Sequence, residues 1–337
     1  MNGNGMPRTQ WQEPVNLSPK RTPMSSRFIS FACAVTVLAL LLAACGGDAK
    51  KKADAKTTPP TPSKPQVSWF VDATNGSDTN TGSSAAPFKT ITHALGVATT
   101  GEIVNVAPGT YNAALGEVFP LAVPAGVTLH GEETLKGAGT TPYIIQGAGL
   151  ASGILEAALT AGAGSTVAGF KFVGVAPTGG DLGEVVYLTH DGVTFRNNTI
   201  TGAVHAAIYV DGSSNHVIAG NNVSNNLGGG LGFVTSGSGS KIENNVFANN
   251  LYGVELDVLG GDLGGGPTGS VGGNQIYCST KNDLFTTLVG TIYAANNAWD
   301  HNPPSTNNVV DNTVDIVNID GATIIISGAT VVAGNCP

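Results

Sequence analysis

The sequence predicts an all-β solenoid with one coil per repeat, on three observations. An asparagine pair recurs at Asn197-Asn198, Asn221-Asn222, Asn244-Asn245 and Asn296-Asn297, with Asn274-Gln275 in place of one copy; the first two intervals are 24 and 23 residues. Apolar residues keep the same period: Val186, Ile208, Leu231 and Val254 align, and so do Leu188, Val210, Phe233 and Leu256 two residues later. Between them lie short β-rich segments punctuated by Gly and Asn turns. A period in the low twenties built this way marks stacked coils that bury one continuous core.

From the N-terminus, the first element is a leader. The apolar run 28–42 follows Lys20, Arg21 and Arg27 and ends at Leu42-Ala43-Ala44-Cys45. At roughly 15 residues it is short for a membrane span and has the length of a signal-peptide core. Residues 1–44 are therefore expected to be a signal peptide, with Met24 as the true start because 1–23 is polar and long for its place. The Leu-Ala-Ala-Cys ending resembles a bacterial lipobox, which implies lipid on Cys45 and a membrane as partner; a plain secretory signal or an anchor is the alternative. Gly46 carries no aspartate retention signal, so the expected location is the bacterial cell envelope, at the outer membrane or cell surface. Residues 45–66, rich in Lys, Thr and Pro, bury too little apolar surface to fold and read as an extended tether.

The folded part, 67–337, is expected to be one domain. It carries six Lys and Arg against twenty Asp and Glu, a formal charge of −14. That balance repels phosphate backbones and excludes nucleic acid as a partner, while divalent cations and neutral or cationic glycans meet no such barrier. Two cysteines remain, Cys278 and Cys336; in an exported chain the pair is a disulfide candidate that would pin the C-terminus to a late coil.

The entry segment differs from the repeats. Trp69-Phe70-Val71-Asp72 reads as a strand, and Asn75-Gly76-Ser77-Asp78 as a turn. Ile91, Ala94, Leu95 and Ala98 fall at i, i+3, i+4 and i+7, which predicts a helix over 90–98. Such a helix would cover the open first coil, whose core and β edge need a cap.

These residues also carry a family resemblance. The runs Trp69 to Asp78, Ala86-Pro87-Phe88-Lys89-Thr90-Ile91, Ala107-Pro108-Gly109-Thr110-Tyr111, Phe119-Pro120-Leu121 and Gly126 to Glu132 resemble the bacterial domain of unknown function numbered 1565. More loosely they are similar to family 9 polysaccharide lyases and other pectate-lyase-like proteins. The resemblance, strongest over about 68–133, implies a right-handed parallel β-helix.

Within the coils, Asn197, Asn198, Asn221, Asn222, Asn244 and Asn245 are expected to stack as a structural ladder, each amide bonding the coils above and below. Alternation about the inward columns puts Tyr187, Tyr209, Gly232 and Glu255 in one outward column and Thr189, Asp211, Val234 and Asp257 in the next. Tyr187, Tyr209, Asp211, Glu255 and Asp257, with His190 at the adjoining turn, are the candidate ligand-binding or catalytic residues. Aromatic rings cover the apolar face of a sugar and carboxylates accept its hydroxyls.

The case for catalysis is weaker. Asp211 and Asp257 sit two coils apart, about 9.6 Å at the usual strand spacing, at the far end of the inverting-glycosidase range. The lyases that the entry segment resembles use a basic residue, and these columns contain no Lys or Arg; the polygalacturonase motifs are absent too. His190, His205 and His216 lack metal-ligand spacing. No cofactor is expected, except that calcium is a candidate at Asp72 and Asp78, where turn chemistry explains the same residues. Arg196 is expected to pair with Glu243 two coils away. The glycine-rich insert 260–273 is expected either to wall the tyrosine face or to act as a spacer. A surface lipoprotein that binds extracellular polysaccharide without cleaving it is favoured over a lyase or glycoside hydrolase and over an inert envelope scaffold.

Overall fold

The computed structural model describes residues 67–178, 182–235, 237–332 and Cys336. The expected signal peptide, the lipidated Cys45 and the tether lie outside the described residues. Among the described residues no helix is long and apolar enough to cross a membrane.

The chain is a right-handed parallel β-helix. Three long sheets run along it, one of eight strands and two of nine. One coil shows the plan: strand Val186–Leu188 in the first face, Thr194–Arg196 in the second, Thr199–Thr201 in the third, then Ala206–Val210 back in the first. Every ladder between successive coils in these sheets is parallel, and the pairings Val186↔Ile208, Ile208↔Leu231 and Leu231↔Val254 are those the period predicts.

Strand alternation sends one column per face inward. On the second face Leu129, Val167, Phe195, Ile218 and Ile242 stack in register. On the third, Ile145, Phe172, Ile200, Val223, Phe247 and Ile276 do the same. All eleven are fully buried. Each contributes about 1.5–3 kcal/mol of apolar burial and stacks on apolar neighbours of its column, so the core is continuous along the axis.

The turn between the second and third faces is polar but internal. Asn198, Asn221, Asn245, Asn274 and Asn297 are fully buried there. From Asn221 onward each side-chain oxygen accepts the backbone N–H and amide of the asparagine one coil earlier, as in Asn198 N to Asn221 Oδ1 at 3.0 Å and Asn221 Nδ2 to Asn245 Oδ1 at 3.0 Å, while Asn198 Oδ1 accepts Phe170 N–H. Each amide also reaches a carbonyl, as in Asn221 Nδ2 to Phe195 O at 2.9 Å. The ladder therefore takes one asparagine per coil. Asn197 and Asn244 instead hold the preceding position at φ +50° and +56°, and Asn222 lies in the strand beyond, paired with Thr199. That corrects the expected six-member ladder: the repeating unit is a left-handed residue, Asn or Gly, followed by the ladder asparagine. Gly220 takes the left-handed place at φ +66°, where a Cβ would lie 2.3 Å from Asn197 Oδ1. A second ladder joins Asn226 and Asn250, with Nδ2 to Oδ1 at 2.9 Å.

The helix spans Ile91–Val97, capped by Thr90, whose hydroxyl accepts His93 N–H, and buries Ile91, Ala94 and Leu95 against the first coil. Glu117 adds a second cap from the chain that follows, accepting Ile91 N–H at 2.7 Å and Thr92 N–H at 2.8 Å. At the other end, Cys278 and Cys336 lie in disulfide contact, S–S 2.08 Å with Cα atoms 5.2 Å apart.

Two expectations are corrected. Arg196 pairs with Glu133, Nε to Oε2 at 2.9 Å and Nη2 to Oε1 at 2.8 Å, and holds that carboxyl down to about 2. Glu243 pairs with Lys241 at 3.0 Å. Arg196 and Glu243 share a column with Ala219 between them; Arg196 turns instead to Glu133, beyond strand Thr128–His130, and Glu243 to Lys241 in its own strand. The insert 260–273 neither walls the tyrosine face nor dangles. Strand Gly261–Asp262 adds to the second sheet beside Ser240 and Lys241. Buried Asp262 then folds the glycines around its carboxylate, accepting Gly264, Gly266 and Thr268 N–H.

Candidate functional site

The first face carries Tyr187, Tyr209, Gly232 and Glu255 in one outward column, in the register expected. Their accessibility differs. Tyr187 is only 5% exposed, because an antiparallel hairpin, Gly149–Ser152 with Leu155–Ala157, joined by Leu182–Gly183, folds over that end of the face. Ser152 of the hairpin reaches the Tyr187 hydroxyl, which donates to Asp211 Oδ2 at 3.1 Å. The expected open platform of two tyrosines is corrected accordingly: Tyr187 buttresses the site from below, its ring 5.9 Å from that of Tyr209 and tilted 34°. The open part of the face begins at Tyr209, which is half-buried.

Beyond Tyr209 the next rung is Gly229–Phe233. Gly232 and Gly229 present no side chain outward, which leaves a gap one rung wide between Tyr209 and Glu255. A Cβ on Gly232 would meet Tyr209 Cδ2 at an ordinary 3.7 Å, and one on Gly229 would lie 4.0 Å from Glu255 Oε2. Glu255 thus leans back over the glycine floor. Its carboxylate accepts no hydrogen bond from any described residue, and burial, with the charge of Asp257 behind it, pushes its pKa up. Burial also raises Tyr209, to about 12.

Two groups that sequence reasoning did not place here complete the site. Glu184 is 3% exposed at the seam between the small sheet and the first face. Its Oε1 lies 2.6 Å from His205 Nδ1, and its Oε2 is buried with no partner. The bond to Glu184 raises the pKa of His205, whose ring lies 5.9 Å from that of Tyr209. On the far side Lys281 stands over Tyr252, its Nζ 3.1 Å from the hydroxyl and 5.1 Å from the ring centroid. Tyr252 in turn packs on Phe285 at 5.4 Å. The outward columns contain no Lys or Arg, as expected, yet the face has a basic group beside them. Lys281 precedes its strand, so it falls outside the alternating columns, yet its long stem brings the ammonium back onto the face.

The remaining sequence candidates are placed as follows. Asp211 is engaged by Tyr187 and by the hydroxyl of Thr235. Asp257 is exposed, bonded to Thr287, and raised by partial burial of its carboxyl. His190 is exposed and bonds Thr189 at 3.2 Å, outside the Tyr209–Glu255 gap. Asp72 accepts Thr74 and Asn75 N–H, while Asp78 accepts Lys89 and Thr90 N–H. Each of those two carboxylates thus caps a turn through backbone N–H groups.

The site can stack a flat apolar ligand face on Tyr209, accept hydroxyl protons at Glu255, and donate from His205 and Lys281. Glu255 and the His205–Glu184 pair also offer groups able to exchange protons.

No curated protein matches the chain in sequence. A family model described as a protein of unknown function, DUF1565, matches residues 74–306. Among solved structures the chain is similar to a rhamnogalacturonan lyase, with 17% identity and a TM-score of 0.41 over 78% of this chain; it spans 62% of that lyase. It is also similar to pectate lyase Pel9A, with 12% identity and a TM-score of 0.44 over 78% of each chain. An alginate lyase from Paenibacillus sp. str. FPU-7 shows 13% identity and a TM-score of 0.40 over 73% of this chain and 93% of that one.

Proposed function

We propose, for a chain that belongs to the DUF1565 family of proteins of unknown function, a role as an envelope lipoprotein whose open first face binds an extracellular carbohydrate chain. The observation that carries this reading is the glycine-floored gap between Tyr209 and Glu255. A rung without outward side chains, flanked by a half-exposed aromatic and by a carboxylate with no protein hydrogen bond, suits a sugar better than it suits an ordinary sheet surface. A polymer suits it better than a single sugar, because rungs spaced about 4.8 Å apart continue the face from Tyr209 to Tyr252 and Phe285. The charge of −14 on 67–337 favours neutral or amino sugars over polyanions. In this reading lipid on Cys45 holds the chain at the membrane and residues 46–66 carry the β-helix away from it.

A glycan array probed with the purified chain tests the reading, followed by mass analysis of any glycan it retains. A retained, intact oligosaccharide is expected, and Tyr209→Ala should weaken its binding roughly tenfold or more. Silence across neutral, amino and acidic glycans would sink the proposal. Glu255 favours one second reading, cleavage of the bound chain, since a carboxyl whose pKa burial raises, set near a His–Glu pair, is a general-acid arrangement. Shorter fragments that together carry one added water would then mark a hydrolase and an unsaturated fragment a lyase, and Glu255→Gln should abolish either while retaining binding.

A further inference from the structure

Away from the tyrosine face, three carboxylates converge near the C-terminal end of the solenoid. Asp283 lies in strand Asn282–Thr286, Asp300 follows strand Ala298–Trp299, and Asp315 precedes strand Ile316–Asn318. One oxygen from each lies within 4.8 Å of the other two. Asp283 is 2% exposed and Asp315 4%, so two of the three have little water to screen them.

Their hydrogen bonds are unevenly shared. Asp315 accepts Ser305 N–H at 2.8 Å and lies 2.9 Å from His301 Nδ1. Asp300 Oδ2 accepts Cys278 N–H at 3.0 Å. Asp283 Oδ1 accepts Ser279 N–H at 3.2 Å, the buried Ser279 hydroxyl faces the same carboxylate, and Asp283 Oδ2 is buried with no hydrogen-bond partner. A cluster of acids alone would mean little. An orphaned carboxylate oxygen, shut from water and set against two further carboxylates, is missing a positive partner. Lys281, two residues away, does not supply it, since its ammonium is on Tyr252.

We propose that Asp283, Asp300 and Asp315 bind a divalent cation that prefers oxygen ligands, with calcium the best chemical match. The donors are carboxylates and a hydroxyl. The nearby sulfurs of Cys278 and Cys336 are joined to each other and offer no thiolate to a softer metal. Calcium accepts six to eight oxygens in irregular geometry, which three carboxylates and Ser279 can begin to supply and water entering beside half-buried Asp300 can complete. Magnesium, which demands a near-ideal octahedron, fits less well. His301 then acts behind Asp315 as an orienting partner. The ion ties neighbouring coils, because Asp283 N–H already bonds Asp315 O across the rung at 2.8 Å. It does so at the end opposite the capping helix.

Terbium and calcium chlorides, added separately to the full chain with its disulfide intact, test this. Fully buried Trp299 adjoins Asp300 and should sensitise terbium emission. The expected result is saturable emission at one equivalent, displaced by calcium at lower concentration than by magnesium, together with a calcium-dependent rise in Tm. Asp283→Asn and Asp300→Asn should each weaken binding at least about tenfold, whereas Asp72→Asn should not. Absence of both the emission and the Tm shift would overturn the proposal, and so would binding that survives both cluster substitutions or is lost in Asp72→Asn. Should Asp283→Asn fail to fold, Asp300→Asn on the half-buried ligand decides alone. Neither result bears on the tyrosine face.

Discussion

Glu255 and His205 show how neighbours within a few ångströms decide what a side chain can do. His205 sits against a carboxylate with no solvent exposure, Glu184, and its pKa rises because the imidazolium gains that bond. A raised histidine contributes stability that is fully present below the ordinary imidazole value of 6.5 and is lost as pH climbs through the higher folded value. Tm should therefore fall with rising pH above that ordinary value, and Glu184→Gln should remove this part of the slope; an unchanged slope in the variant would reject the pair as its source. Gly232 makes the complementary case. Its missing side chain leaves the gap open, yet a methyl there would meet Tyr209 at an unstrained 3.7 Å. Gly232→Ala should leave stability within about 0.5 kcal/mol while lowering glycan affinity. Equal affinity in wild type and variant would show that the floor is not used.

At the level of strands and turns, the repeat was legible wherever period alone decides the answer. Inward Val186, Ile208, Leu231 and Val254 follow from spacing, because a slip of one residue would turn every core side chain to solvent. The asparagine turn was half legible. The pair suggested that both asparagines stack in the ladder, but the left-handed place accepts Gly as readily as Asn, so Gly220-Asn221 is the true counterpart of Asn197-Asn198. The hairpin that buries Tyr187 was not legible, since 147–157 breaks the period and nothing in its composition says which face it folds over. Neither was the Glu184–His205 bond, which joins residues at the seam of two sheets rather than in one column. Asn221→Ala should cost roughly 2–4 kcal/mol, because it strips the backbone N–H and amide of Asn198 of their acceptor and leaves Phe195 O without its donor. Asn222→Ala, one residue on and outside the ladder, should cost less than about 1 kcal/mol. Urea unfolding of the two variants measures the difference, and equal losses would place the ladder elsewhere.

Across the whole molecule the two ends are closed by different means, a capped helix at the first coil and a covalent link at the last. The link spans 58 residues of sequence, and constraining so long a loop in the unfolded chain stabilises by about 2–4 kcal/mol. Cys336→Ser should lower stability by that order, with amide exchange rising first in strands Thr330–Val331 and Ala298–Trp299; uniform loss of protection along the solenoid would argue against a local staple. The left-handed turn position carries a longer consequence. Along the coils it reads Asn197, Gly220, Asn244, Gly273, Asn296 and Gly328, and each of these glycines leaves the space that the preceding asparagine's side-chain oxygen occupies. Copying or deleting one coil would set asparagine against asparagine or glycine beside glycine, whereas two coils keep the alternation. The smallest unit that preserves this alternation is thus a pair of turns, and a designed array built from it should be lengthened in even steps.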